Sequence, residues 1–139
     1  MLKIQYASKP DQAFWFTLDR HLSELEFESK VRDKRGYIIS NDSKPIGILR
    51  YNLFWDNTPF LTLIELEEPH RGKGFGKQAM LLWEQEMREL SYKMVMTSTR
   101  TDEEAQHFYR ALGYQDKGIL FLDNTPFEQP GELFMLKVL

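Results

Sequence analysis

The sequence has 139 residues, a formal net charge of −3 at pH 7 and no cysteine, so disulfides, thiolate metal sites and a cysteine nucleophile are excluded. The length fits one ordinary domain, and we expect residues 1–139 to fold as a single unit. Without a run of five like charges or an apolar stretch near the roughly 20 residues of a membrane span, the chain is predicted to be cytoplasmic and to bind neither nucleic acid nor membrane.

The first half of the chain predicts one short strand, two helices and three further strands. Their ranges are 3–7, 11–20, 22–34, 37–40, 46–55 and 60–67. In the strand 60–67, simple alternation places Thr62, Ile64 and Leu66 on one face. The other face then carries Leu61, Leu63, Glu65 and Glu67.

The second half predicts a glycine-rich loop at 71–76, a helix that ends near Leu90, a strand at 93–98, a second helix and two last strands at 119–122 and 133–139. The apolar residues that fit one face of the first of these helices are Phe75, Ala79, Leu82, Trp83, Met87 and Leu90. Thr101 and Glu104 have the spacing of a capping box for the second. The order β-α-α-β-β-β-α-β-α-β-β implies at least one parallel strand pair.

Three glycines fall within the six residues 71–76, between a strand and a helix. Glycine lets the backbone approach a ligand closely, and the free amides at a helix start suit a phosphate or pyrophosphate. Lys73 and Lys77 add positive charge, although a tight turn alone would also need glycine. The phosphate-loop pattern fails because Gln78 occupies its hydroxyl position, and the dinucleotide pattern fails because Lys77 occupies its last glycine position.

Arg71-x-x-Gly74-x-Gly76 resembles the pyrophosphate-binding signature of the GNAT superfamily of N-acetyltransferases. The segment 105–114, which reads AQHFYRALGY, is similar to that family's late helix, and the element order agrees as well. The resemblance implies an α/β fold with a mixed central sheet of about six to seven strands, flanked by about four helices. It also implies two splayed parallel strands at the cofactor site, here 60–67 and 93–98.

The resemblance implies acetyl-CoA as the acyl donor and assigns it a set of residues. The backbone of Ile64, Glu65 and Leu66 would hold the pantetheine arm and the acetyl carbonyl. The residues implied at the pyrophosphate and near it are Arg71, Gly72, Lys73, Gly74, Phe75, Gly76, Lys77, Asp102 and Phe108. Asp102 departs from the family, which often has asparagine there, and an anion at that position weakens or relocates one contact unless it serves the helix cap.

By resemblance, the acceptor amine attacks the thioester directly, without a nucleophilic residue. An alkylamine must first lose a proton, and Glu65 is the first candidate for that role, ahead of Glu67 and Asp56. Tyr109 matches the family's usual general acid for the leaving thiolate. The alternatives are a solvent-facing position for Glu65 and core packing for Tyr109.

The acceptor itself is left open between small-molecule and peptide or protein amines. The candidate residues of its pocket are Phe14, Trp15, Phe27, Arg50, Tyr51, Phe54, Trp55 and Asp56, which equally suit an ordinary core. His21, His70 and His107 lack metal-ligand spacing, so no metal is expected. The alternative function is a non-catalytic acetyl-CoA-binding sensor or regulatory module, and a homodimer is a possible assembly.

Overall fold

Seven strands form one mixed sheet in the computed structural model, which describes all 139 residues. The strands are β1 (Leu2–Tyr6), β2 (Gly36–Asn41), β3 (Lys44–Phe54), β4 (Thr58–Leu66), β5 (Met94–Arg100), β6 (Gln115–Leu120) and β7 (Glu132–Val138). The helices are α1 (Gln12–Leu18), α2 (Glu24–Asp33), α3 (Phe75–Glu89) and α4 (Ala105–Ala111). The strand order is β1-β2-β3-β4-β5-β7-β6. The element order and the mixed sheet that the sequence predicts are thus confirmed.

The sheet splays open at its only parallel pair, β4 and β5, which pair over only part of their length. Their register contains two residue pairs, Phe60 with Met96 and Leu61 with Thr97. Thr97 reinforces this junction by donating its hydroxyl to the Leu61 carbonyl oxygen across 3.1 Å. β4 then continues to Leu66 without pairing to β5, so the backbone on that side of β4 lacks a strand partner. This confirms the predicted splay.

A bulge in β4 changes which of its side chains share a face. Arg50 pairs with Leu63 while the next residue of β3, Tyr51, pairs with Leu61, so Thr62 is an extra residue on β4. Leu61 therefore packs in the same core cluster as Ile64. The predicted alternation, which grouped Leu61 with Leu63, was wrong because a period of two fails across a bulge.

Two apolar clusters cover the sheet. The larger one contains the buried face of α3, where Ala79, Met80, Trp83 and Met87 are fully buried. The smaller one centres on Trp15 of α1 and Phe27 of α2. None of the helices has the length and apolar character needed to cross a membrane.

Two residues of the predicted apolar face of α3 are instead exposed: Leu82 at 41% and Leu90 at 53%. Glu84 is fully buried in their place. Its carboxylate accepts hydrogen bonds from the Tyr114 hydroxyl at 2.9 Å and from Lys137 Nζ at 2.7 Å. A charged residue with two such partners can lie in the core, and hydrophobic periodicity does not reveal them.

Two further local predictions were wrong. β6 covers Gln115–Leu120, not 119–122, and every residue of this edge strand is exposed, so no apolar alternation marks it. The capping box does not form, because α4 begins after Glu104 without a side-chain cap. The preceding turn is held by Gln106, whose side-chain amide donates to the carbonyl oxygens of Thr101 at 2.9 Å and Glu103 at 2.8 Å.

Candidate active site

A cleft of about 480 Å³ opens where β4 and β5 diverge. It is bounded by the end of β4, the glycine-rich loop, the start of α3 and one side of α4. The lining residues are Ile64, Glu65, Leu66, Arg71, Gly72, Gly74, Gly76, Lys77, Ala105, Phe108 and Tyr109. Most residues of the two sequence motifs therefore meet around one cavity.

The glycine loop presents open backbone to this cleft. Gly72 has a φ of +73° and Gly74 a φ of +84°, a left-handed conformation that glycine adopts without strain. A β-carbon built at either position meets no atom within 4 Å. Gly74 is the N-cap of α3 and offers no capping side chain, so the first amides of the helix remain free to bind an anion. The loop fits a phosphate-bearing ligand.

Three residues of the implied cofactor set do not line the cleft. Lys73 is exposed beside it. Phe75 packs on the large core cluster, with its ring centroid 6.4 Å from that of His70. Asp102 accepts two hydrogen bonds of 3.0 Å from Arg100, and this guanidinium lowers the pKa of the carboxyl group. Asp102 is thus paired with Arg100 and does not cap α4.

Tyr109 lies in the core and at the cleft wall at once. It is 7% exposed, it packs edge-on against Phe108 with ring centroids 5.3 Å apart, and both rings line the cavity. Burial raises the pKa of the Tyr109 phenol, while its interaction with the Thr97 hydroxyl opposes that shift. The phenol is therefore protonated near neutral pH, and it lies beside Thr97, where β4 and β5 part.

The carboxylate of Glu65 is held by an arginine of the glycine loop. Arg71 Nη2 donates to Glu65 Oε1 across 2.7 Å, and Arg71 Nε donates to the Leu66 carbonyl oxygen across 3.0 Å. Of the two weaker candidates, Glu67 lies 3.8 Å from the His70 ring nitrogen Nε2. Asp56 is exposed in the β3–β4 turn, at the opposite end of β4 from Glu65.

A second cavity of about 370 Å³ shares Glu65 and Arg71 with the cleft. Its other lining residues are Thr17, Leu18, Arg20, His21 and Leu63. The sequence analysis named other residues of the first helix for an acceptor pocket and missed these, because no motif marks them. Three of the aromatic residues considered for an acceptor pocket, Trp15, Phe27 and Tyr51, are instead buried core residues.

Comparisons with solved structures support the same fold over nearly the whole chain. Ard1 from Thermoplasma volcanium is 16% identical with a TM-score of 0.84, covering 99% of this chain and 97% of that chain. The ribosomal-protein-S18-alanine N-acetyltransferase from Escherichia coli is 16% identical with a TM-score of 0.79, covering 99% and 94%. A GNAT family acetyltransferase from Elizabethkingia anophelis, solved with acetyl-CoA bound, is 16% identical with a TM-score of 0.79. The comparison covers 99% of this chain and 98% of that chain.

Sequence comparison gives the family directly. No curated protein sequence matches the chain significantly. Residues 3–114 match the model of the Acetyltransferase (GNAT) family, and this range contains both motifs and all residues that line the cleft. Because the match spans most of the sequence, the chain belongs to the GNAT family of acetyl-CoA-dependent N-acetyltransferases.

Proposed function

We propose that the protein moves an acetyl group directly from acetyl-CoA to a primary amine that enters through the second cavity. One observation carries this proposal: the cleft beside the glycine loop and the cavity beside α1 share Glu65 and Arg71. A donor in the first space and an acceptor in the second would therefore meet at the end of β4. Their meeting point lies beside a carboxylate, which is the group an incoming ammonium needs.

The cleft has the groups that acetyl-CoA requires. The free amides around Gly74 and the Lys77 ammonium would bind the pyrophosphate, and no β-carbon obstructs its approach to Gly72 or Gly74. The strand-like pantetheine arm would follow Ile64 to Leu66, where β4 lacks a partner on the β5 side. The apolar ring of Phe108 would cover it from α4.

Glu65 would accept the proton that makes the acceptor nucleophilic. An alkylammonium has a pKa of about 10.4, so most of it is charged at neutral pH and cannot attack. After Glu65 removes a proton, directly or through water, the nitrogen lone pair attacks the thioester carbonyl carbon. A carbon–nitrogen bond forms and the carbon–sulfur bond breaks. The nitrogen then releases its second proton to solvent, which leaves a neutral amide and the coenzyme A thiolate.

Tyr109 would return a proton to that thiolate. Its buried phenol has a raised pKa and keeps its proton near neutral pH, and it lines the same cleft as the expected thioester. Donation produces the free thiol of coenzyme A and a transient phenolate, which solvent reprotonates. No step requires a metal, and the cysteine-free chain suits a reducing cytoplasm.

The test measures thiol release from acetyl-CoA with a panel of amino acids, peptides, polyamines and aminoglycosides, with mass spectrometry of each product. We expect at least one amine to gain a single acetyl group with equimolar thiol release, and we expect a chelator to leave the rate unchanged. Thermal stabilisation by acetyl-CoA without transfer to any amine would contradict the proposal and favour the non-catalytic sensor.

A further inference from the structure

The second cavity carries an excess of positive charge. Arg20 and Arg71 both bring a guanidinium, and Glu65 is the only carboxylate among the lining residues. The Glu65 charge is already paired with Arg71. The exposed side chain of Arg20 lines the cavity beside His21, and its guanidinium makes no ion pair or hydrogen bond with any other residue. Arg20 is therefore the guanidinium of this pocket that has no protein partner.

The position of Arg20 is fixed by the buried residue before it. Asp19 is 2% exposed, and one of its carboxylate oxygens accepts hydrogen bonds from Arg50 Nε at 2.8 Å and Trp15 Nε1 at 3.0 Å. Its other oxygen accepts the backbone amides of His21 at 3.1 Å and Leu22 at 3.2 Å. Together with a longer bond from Arg50 Nη2 at 3.5 Å, five hydrogen bonds to one buried carboxylate hold the turn after α1 against the sheet. The backbone that presents Arg20 to the cavity is thus preorganised.

We propose that the acceptor is an amine that also carries a carboxylate, and that Arg20 binds this carboxylate; the inference rests on the proposed function. A guanidinium is suited to carboxylates because it donates two parallel hydrogen bonds. The acceptor's ammonium would lie beside Glu65, which also bonds Arg71, and its carboxylate would give Arg20 the partner that the protein does not supply. Polyamines and aminoglycosides, which bring only positive charge, are disfavoured at Arg20 and Arg71.

Two sources of such an acceptor share this chemistry, a free amino acid and the amino terminus of an acidic peptide. The experiment therefore compares kcat/KM within two matched pairs. Phenylalanine and phenethylamine differ by the carboxylate alone. The peptide amides Ser-Glu-Phe and Ser-Gln-Phe differ only in charge at the second residue. We expect the anionic member to be preferred about tenfold or more in at least one pair, the usual effect of a hydrogen bond to a charged group.

Variants then assign the preference to Arg20. Arg20→Gln should reduce the kcat/KM ratio within the preferred pair to about twofold or less. Arg20→Lys should restore part of this ratio, because lysine returns the positive charge but cannot donate two parallel hydrogen bonds. The KM for acetyl-CoA should not change in either variant, which separates acceptor binding from donor binding. Arg88→Gln is the matched control, because Arg88 is an exposed arginine in the last turn of α3, and it should keep the ratio of the parent protein.

The outcomes distinguish this inference from the proposed function. If amines are acetylated but neutral or polycationic ones are preferred, or if Arg20→Gln keeps the full ratio, the carboxylate inference is wrong and the acetyltransferase activity stands. If no amine is acetylated although acetyl-CoA binds, the proposed function fails and this inference fails with it. A preference in the amino-acid pair or in the peptide pair identifies the source.

Discussion

Arg71 connects the glycine loop to the end of β4 by bonding the carboxylate of Glu65 at 2.7 Å. The second bond of the same guanidinium, to the Leu66 carbonyl oxygen, fixes the direction of the side chain. The family resemblance assigns Arg71 to the pyrophosphate, yet its side chain faces the expected meeting point of the two substrates. This ion pair therefore joins two residues that line both cavities.

Glu65→Gln should lower kcat by about 10²- to 10⁴-fold, because the amide keeps the shape of the side chain and cannot accept the ammonium proton. The dissociation constant of acetyl-CoA should change little, since that proton is not involved in donor binding. Steady-state rates at saturating acceptor, together with calorimetric titration of acetyl-CoA, provide both measurements.

Glu67→Gln is the control for this prediction, because Glu67 lies two residues further along the chain and pairs with His70 instead. It should retain kcat within about threefold, as expected for a residue without a role in proton transfer. A large loss of kcat in Glu67→Gln, together with normal kcat in Glu65→Gln, would show that Glu67 is the base and Glu65 is not.

Tyr109→Phe removes one hydroxyl and keeps the ring, so the packing against Phe108 should survive. If the phenol protonates the thiolate, kcat should fall by about 10²- to 10⁴-fold while acetyl-CoA affinity is maintained. The loss should be smaller with an acyl donor whose thiol is more acidic, because that leaving group needs less help.

Tyr114→Phe is a matched control in the same region, since its hydroxyl bonds buried Glu84 and does not line the cleft. It should reduce the free energy of unfolding by about 1–3 kcal/mol, the cost of leaving a buried polar group underbonded, and keep kcat. If Tyr109→Phe has the kcat of the parent protein under conditions where chemistry limits the rate, Tyr109 has a purely structural role.

Stability should fall at alkaline pH because of the tyrosines around Glu86. A hydrogen bond from the Tyr6 hydroxyl to Glu86, 2.6 Å long, raises the pKa of Tyr6 to about 12, with burial as a smaller cause. In the unfolded chain the phenol loses its proton at a pKa of about 10. The unfolded state therefore binds fewer protons above that pH, so this stabilisation is complete below about pH 10 and is lost toward pH 12.

Glu86→Gln should lower the pKa of Tyr6 toward its usual value, followed by phenolate absorbance, and should weaken the pH dependence of unfolding. Glu89→Gln is the control, since Glu89 lies on the same helix and bonds only Gln85. Identical tyrosine titrations in the two variants would show that Glu86 is not the cause.

The sequence predicts the secondary-structure elements and motif residues of this site better than its side-chain contacts. Gly74, Gly76, Phe108 and Tyr109 belong to local motifs, and they line one cleft because the order of strands and helices leaves few topologies. Asp19 shows the opposite case: its four partners come from α1, the following turn and β3, and no local pattern brings them together.

The bulge at Thr62 is likewise set by contacts between distant parts of the chain, which no local pattern reveals. Its hydroxyl donates to the Arg50 carbonyl oxygen at 3.1 Å, a contact between two strands that depends on their register. Patterns with periods of 2 and 3.6 identify elements, but register shifts, buried ion pairs and exposed edge strands depend on tertiary contacts.

The affinity of Gly74→Asn for acetyl-CoA tests the central assignment most directly. Asparagine tolerates the left-handed φ of +84° better than other side chains, so the fold should persist while the open space beside the loop is filled. Calorimetry should show acetyl-CoA binding weakened by at least about tenfold, because the pyrophosphate loses its charge-assisted contacts with the backbone. Gly118→Ala, where the added carbon meets nothing within 4 Å on the edge strand, should bind normally. A folded Gly74→Asn protein with unchanged affinity would contradict the placement of acetyl-CoA in this cleft.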